Sequence, residues 1–169
     1  LVQICKQKSS LVVSGTHGKT TTSSMLALVL RSAEMKPSFI IGGDVNEVGT
    51  GAAWDDGAIF VVEGDESDGS FLLLPRDYAV VTNVEADHLE HHGGYEALEE
   101  AFEKFVEETC GPVIVGIDDE GGKKLASSQN AISLGMDSSA EWRITELEES
   151  WTGVSFNLKD PDNHELLVK

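Results

Sequence analysis

Positive charge is scarce in this sequence. Lysine and arginine number 12 against 30 aspartates and glutamates, a formal net charge of −18 over 169 residues. Binding to nucleic acid or to an anionic bilayer depends on basic side chains that displace counter-ions or meet lipid phosphates. Neither nucleic acid nor a membrane is therefore expected as a partner. Cysteine is nearly absent: Cys5 and Cys110 lie far apart and cannot staple a small secreted scaffold, so reduced thiols in a cytoplasmic protein are expected. Long apolar runs are missing too. The longest, such as residues 25–30 and 71–74, fall well short of the ~20 residues a membrane-spanning helix requires, and no leader segment is visible. Internal repeats and low-complexity segments are lacking. What is present is ordinary for a globular chain: 40% hydrophobic residues and 17 glycines, enough for one domain with a real core or one with a small appendage. The first residue is Leu1 rather than Met, so the chain reads as part of a longer protein or as a processed product.

Residues 11–13 form a short apolar run closed by Ser14 and Gly15. Lys19, Thr20, Thr21 and Thr22 follow, then Met25, Leu26, Leu28, Val29, Leu30 and Ala33. That order reads as strand, glycine turn and buried helix. Runs at 39–41, closed by Gly42 and Gly43, at 59–62, closed by Glu63 and Gly64, and at 79–82, closed by Asn83, read as buried strands. Tyr95, Leu98, Phe102, Phe105 and Val106 recur at helical spacing, with Glu96, Glu99, Glu100, Glu103, Glu107 and Glu108 around the other side, the pattern of an amphipathic surface helix. A strand at 113–115, a small helix around 123–127 and a strand near 131–134 continue the alternation. The predicted fold class is α/β, a mostly parallel sheet flanked by helices. From 141 onward the texture changes: Val154, Phe156 and Leu158 alternate with polar residues, and a turn-like stretch at 159–163 precedes Leu166, Leu167 and Val168. An antiparallel hairpin or meander packed on the main sheet is expected over 141–169.

Chemistry concentrates at the ends of the predicted strands. Ser14-Gly15-Thr16-His17-Gly18-Lys19-Thr20-Thr21-Thr22 lies where a strand hands over to a helix, the geometry in which backbone N–H groups cradle phosphate oxygens. Lys19 would place its charge on the β- and γ-phosphates and Thr20 would offer a hydroxyl to Mg²⁺. Two residues, not the usual four, separate Gly15 from Gly18, and a plain glycine turn opening an ordinary helix is the alternative; Gly-Lys-Thr in this context favours the phosphate loop. Glu63 follows one apolar run, with Asp65, Glu66 and Asp68 crowded behind it, while Asn83, Glu85, Asp87 and His88 follow another. Ligands of open α/β sheets bind outside the carboxyl ends of strands, so a lysine loop, a carboxylate and an imidazole would meet in one crevice. Thr20 and Glu63 suit one Mg²⁺; His88 could ligate a second divalent ion, orient a phosphate or be structural. His91 and His92, beside Gly93 and Gly94, read as exposed loop residues, and His164 carries no signal.

These residues resemble the Mur ligase family, and within it the branch that adds L-alanine to UDP-N-acetylmuramate. SGTHGKTTT, EGDESDGSF at 63–71 and TNVEADHLE at 82–90 look like that branch's three signatures, in order and at similar separation. The likeness covers about residues 12–115 and continues loosely beyond. Gly64 stands where alanine is more usual, and Ser67 where murein peptide ligases usually carry tyrosine. The resemblance implies a P-loop-type fold in which Gly15, Thr16, His17, Gly18, Lys19, Thr20 and Thr21 bind ATP. It also implies Thr20 and Glu63 as ligands of one Mg²⁺ and His88 as a ligand of a second, with Mn²⁺ able to substitute, and Lys19, Glu63 and His88 as catalytic residues. Some relatives use a carbamylated lysine downstream of the histidine; Glu103 falls near that position with Lys104 beside it, so no modification is expected.

Family members have three domains, and residues 1–169 look like the central ATPase domain alone. Most contacts to UDP-N-acetylmuramate and L-alanine are then expected in flanking domains, and an isolated fragment is expected to show little or no ligase activity. The implied reaction activates the lactyl carboxylate as an acyl phosphate, which the amine of L-alanine attacks. Both reactants are anionic, so positioning and charge cancellation dominate. A murein peptide ligase, a folylpolyglutamate-type ligase and a nucleotide-binding module without turnover remain the alternatives.

Overall fold

The computed structural model of the chain describes residues 1–45, 48–86 and 94–169. Its strands are β1 (Ser9–Ser14), β2 (Ser38–Val45), β3 (Thr50–Ala53), β4 (Ile59–Glu63), β5 (Tyr78–Val81), β6 (Val113–Gly116), β7 (Ile132–Gly135), β8 (Trp142–Ser150), β9 (Gly153–Lys159) and β10 (Glu165–Val168). Helix α1 (Val2–Cys5) precedes them, and α2 (Lys19–Ser32), α3 (Tyr95–Glu107) and α4 (Glu120–Gln129) run between them, with a 3₁₀ turn at Ser70–Leu73. One sheet contains all ten strands in the order β10-β9-β8-β7-β6-β5-β1-β4-β2-β3. Pairings from β2 across to β8 are parallel, whereas β3 joins β2, and β9 joins β8 and β10, antiparallel. The expected α/β class with a mostly parallel sheet and antiparallel C-terminal strands is the observed one.

The strand alternation explains why the central runs are apolar throughout. Val12, Phe60, Val62, Ala79, Val81, Val113 and Val115 pack on one side with Leu98, Phe102 and Phe105 of α3, Leu125 of α4 and Phe71 of the 3₁₀ turn. Val61, Phe39 and Ile41 pack on the other side with Ala27 of α2. Strands covered on both faces read as continuous hydrophobic runs. Phe71 and Phe105 stack with centroids 5.0 Å apart, and Phe102 meets Phe71 at 5.3 Å. Beneath them the buried Arg76 guanidinium donates to the carbonyls of Phe71, Leu72 and Leu74 and to Glu108, which pins the turn to the end of α3.

Two local expectations are revised, and one strand, β3, was not expected. The C-terminal meander does not pack on the sheet but extends it: β8 pairs parallel with β7 through Leu134 and Trp142, and β9 and β10 continue outward. α2 is not a buried helix. It fully buries only Ser23 and Ala27, and Met25 and Val29 are more than half exposed, because its apolar residues surround the helix and only one side can face the sheet. β3 carries no apolar run, yet Ala53 and Ala52 pair with Phe39 and Ile40 and complete the edge. Beyond α2 no described helix covers the second sheet face: Val80, Ile114 and Ile132 share it by register, and Tyr78, Ile114 and Trp142 are each more than a third exposed.

Candidate functional site

The site begins where β1 ends. Gly15 has φ +135° and Gly18 has φ +79°, values that L side chains rarely adopt, so the loop between them can turn back before α2 starts. The segment after β5 holds that loop from beside it. Asn83 accepts the N–H of His17 on Oδ1 at 2.8 Å and the N–H of Thr16 on its carbonyl at 3.2 Å. The Thr82 hydroxyl donates to the His17 carbonyl at 2.6 Å, and the Thr16 hydroxyl accepts the N–H of Glu85 at 3.0 Å. Two of the loop's N–H groups are thus committed to shaping it. Helix geometry leaves those of Gly18, Lys19, Thr20 and Thr21 without intrahelical acceptors, and the N-cap residue, Gly18, has no side chain to cap them. Such a helix start favours an anion.

Two acidic residues from the end of β4 reach the first turn of α2. Glu63 accepts the Thr20 hydroxyl on Oε1 at 2.9 Å and the N–H of Gly42, in β2, on Oε2 at 2.7 Å. A Cβ on Gly42 would stand 3.1 Å from Glu63 Oε1, so the bare backbone there lets the carboxylate lie between β2 and α2. Glu66 is 3% exposed and pairs with Lys19, whose Nζ lies 2.8 Å from Oε2. Lys19 also donates to the carbonyls of Gly15 at 2.9 Å and Thr16 at 3.2 Å. The remaining acids of the run do local work: Asp65 accepts the N–H of Ser67, and Asp68 that of Ser70, whose hydroxyl and N–H hold the Asp68 carboxyl below its ordinary range.

The structure brings Gly15, Thr16, His17, Gly18, Lys19, Thr20, Thr21 and Glu63 together at the carboxyl ends of β1 and β4, beside the end of β5. His88 lies outside the described residues, as do Asp87, His91 and His92. The segment leading toward them is firmly held: Val84 donates its N–H to Asp119 Oδ1, and its carbonyl accepts the Tyr95 hydroxyl. Burial, and then Glu99, raise the Tyr95 pKa, which keeps that phenol a donor. Thr20 and Glu63 offer oxygen donors only, the set that suits a hard divalent cation such as Mg²⁺. Among the described residues, Asp160, Asp162 and His164 also gather, but in the exposed β9–β10 turn, where Asp160 accepts the N–H groups of both followers. Sequence reading left Glu66 in a charge run and gave Gly42 and Thr82 no role. The glycine pair closing an apolar run was the available signal for Gly42; nothing local marks Glu66 as the acid that turns inward.

The family model for the Mur ligase middle domain matches residues 13–169. The chain belongs to the Mur ligase family. It is 54% identical over 124 residues to the UDP-N-acetylmuramate–L-alanine ligase of Saccharopolyspora erythraea, covering 72% of this chain and 25% of that protein. Against the ligase of the same name from Salinispora tropica it is 43% identical over 156 residues, covering 88% of this chain and 30% of that protein. The chain therefore spans less than a third of the length of these curated relatives. Its fold is similar to that of the UDP-N-acetylmuramate–alanine ligase of Thermotoga maritima, with a TM-score of 0.83 and 26% identity over 98% of this chain and 38% of the other. A Mur ligase that carries a glycine at 64 has a steric reason here: an added Cβ would stand 3.0 Å from Val12 Cγ1 and 3.2 Å from Phe71 Cβ.

Proposed function

We propose that residues 1–169 form the central, ATP-binding domain of a three-domain, cytoplasmic UDP-N-acetylmuramate:L-alanine ligase of peptidoglycan synthesis. The observation that carries this reading is the meeting of Lys19, Thr20 and Glu63 at an uncapped helix start between the ends of β1 and β4. The names of the relatives supply the substrates, UDP-N-acetylmuramate and L-alanine. Bound ATP supplies the phosphoryl group that turns the lactyl carboxylate into an acyl phosphate open to attack by the amine.

The chain's own residues do the positioning. Thr16 and His17, held by Asn83, fix the loop's curvature; the N–H groups from Gly18 to Thr21 face an anion; Lys19 cancels charge on the transferring phosphoryl group. Thr20 and Glu63 would hold one Mg²⁺, with His88 assigned to a second. No helix among the described residues is long and apolar enough to cross a membrane.

Phosphate release by the complete protein with Mg-ATP and UDP-N-acetylmuramate tests the reading, comparing L-alanine with the murein tripeptide. Release that depends on L-alanine is expected. Release with the tripeptide alone reassigns the acceptor, and no release with either leaves a nucleotide-binding module without turnover.

A further inference from the structure

An ammonium group has three N–H bonds to give, and Lys19 spends all of them inside the protein. Its partners are the Gly15 carbonyl at 2.9 Å, the Thr16 carbonyl at 3.2 Å and the Glu66 carboxylate, with Oε1 at 3.1 Å and Oε2 at 2.8 Å. A phosphate oxygen can reach Lys19 only if one of these is released. The candidates are unequal. The two carbonyls are neutral and sit on the loop. The Glu66 side chain is 4% exposed, and among the described residues its Oε2 accepts no aligned hydrogen bond and has the nearby ammonium as its ion-pair partner. Taking Lys19 away would leave a buried, uncompensated carboxylate, which is far more costly than releasing a carbonyl.

We infer that Glu66 is a positioning residue: it keeps the Lys19 ammonium anchored under the loop while a loop carbonyl gives way to a phosphate oxygen. The inference rests on the ATP-binding reading above. It carries a sign. Glu66 repels the incoming anion even as it aims the lysine, so removing its charge separates binding from turnover. A merely structural defect at this position would weaken both together.

The test uses the complete protein and Glu66→Gln, with affinity for Mg-ATP read by displacement of a fluorescent nucleotide and turnover read as phosphate release. The expected result is unchanged or tighter binding with turnover lowered about 10-fold or more, since misplacing a reacting group by about 1 Å can cost as much as 10²-fold. A second arm needs no nucleotide. Lys19→Ala should lower the melting temperature by about 4 °C or more, and Lys19→Ala combined with Glu66→Gln should recover at least half of that loss. Proportional loss of binding and turnover in Glu66→Gln, or additive melting shifts in the double variant, overturns the inference. Absence of Mg-ATP binding by the wild type overturns the ATP-binding reading itself, a result the melting arm keeps distinct from failure of the Lys19–Glu66 pair.

Discussion

Two glycines three residues apart in the phosphate loop should respond very differently to the same methyl group. At Gly15, with φ +135°, an added Cβ would lie 2.1 Å from Thr82 Oγ1, 3.0 Å from Thr82 N and 3.1 Å from Asn83 N. The backbone conformation alone costs an alanine about 1–3 kcal/mol. Displacing Thr82 also strains its donation to the His17 carbonyl, at 2.6 Å, and its N–H bond to the Ser14 carbonyl, at 3.0 Å, each worth about 1 kcal/mol. Gly15→Ala should therefore destabilise by about 3–5 kcal/mol. At Gly18 the φ is +79° and no atom of the described residues lies within 4 Å of an added Cβ, so Gly18→Ala should cost only the left-handed conformation, about 1–2 kcal/mol. Urea denaturation of the two variants checks the difference. A partner substitution checks its cause: Thr82→Ala removes the nearest obstructing atom, so its combination with Gly15→Ala should cost about 1 kcal/mol less than the sum of the singles. Equal costs at the two glycines, or strict additivity with Thr82→Ala, would refute the idea that close approach of the 82–83 segment fixes Gly15.

Arg76→Ala should destabilise by about 3 kcal/mol in chemical denaturation, because it strips the donor from the Phe71, Leu72 and Leu74 carbonyls and from Glu108. Arg76→Lys should recover less than half, since an ammonium lacks the planar fork; burial already pushes the Arg76 pKa below its ordinary value, the sign of a desolvated guanidinium. Hydrogen bonds from Lys123 first, and then from the Ser139 N–H and hydroxyl, hold the Asp137 carboxyl well below the usual carboxylate range. A depressed folded value means that its stabilising contribution is fully present above about pH 4 and is lost as pH falls through the folded pKa. A carboxyl-carbon NMR titration should show Asp137 titrating below its neighbours, and Lys123→Ala should move its midpoint upward; an ordinary midpoint in the wild type would sink the assignment.

The sheet was legible because its central strands are short and β-branched and each ends in a glycine or a polar residue. The phosphate loop was legible because Gly-Lys-Thr sits where a strand gives way to a helix. What escaped reading depends on direction rather than on composition. Residues 63–68 hold four acids within six positions; Glu63 stood out because it directly follows the apolar run, but no local pattern separates Glu66, which turns toward α2 as Glu63 does, from Asp65 and Asp68, which accept from the chain behind them. Ile114 sits in an apolar run read as a strand, yet it lies on a sheet face that no described helix covers. β3 is specified by its partner: Gly51, Ala52 and Ala53 have little strand propensity of their own and, with Thr50, are held by pairing with β2.

The acidic balance of the chain and its proposed affinity for a polyphosphate are reconciled by where the charges stand. A net −18 spread over the surface acts through solvent, where charges beyond about 8 Å are screened at physiological salt. At the first turn of α2 the count is small: Glu63 and Glu66 contribute two negative charges and Lys19 one positive, with the partial positive charge of the helix start beside them, and Glu85 lies farther along the loop, 3.7 Å from His17 Nε2. Lys19 is already occupied by Glu66, so it cannot by itself offset a triphosphate. A divalent cation held by Glu63 and Thr20, as proposed above, would offset that local balance, and the 2.9 Å contact between the Thr20 hydroxyl and the Glu63 carboxylate keeps the two oxygen donors together there. On that proposal one lysine suffices here even in a chain poor in lysine and arginine, provided that a buried glutamate keeps it in place.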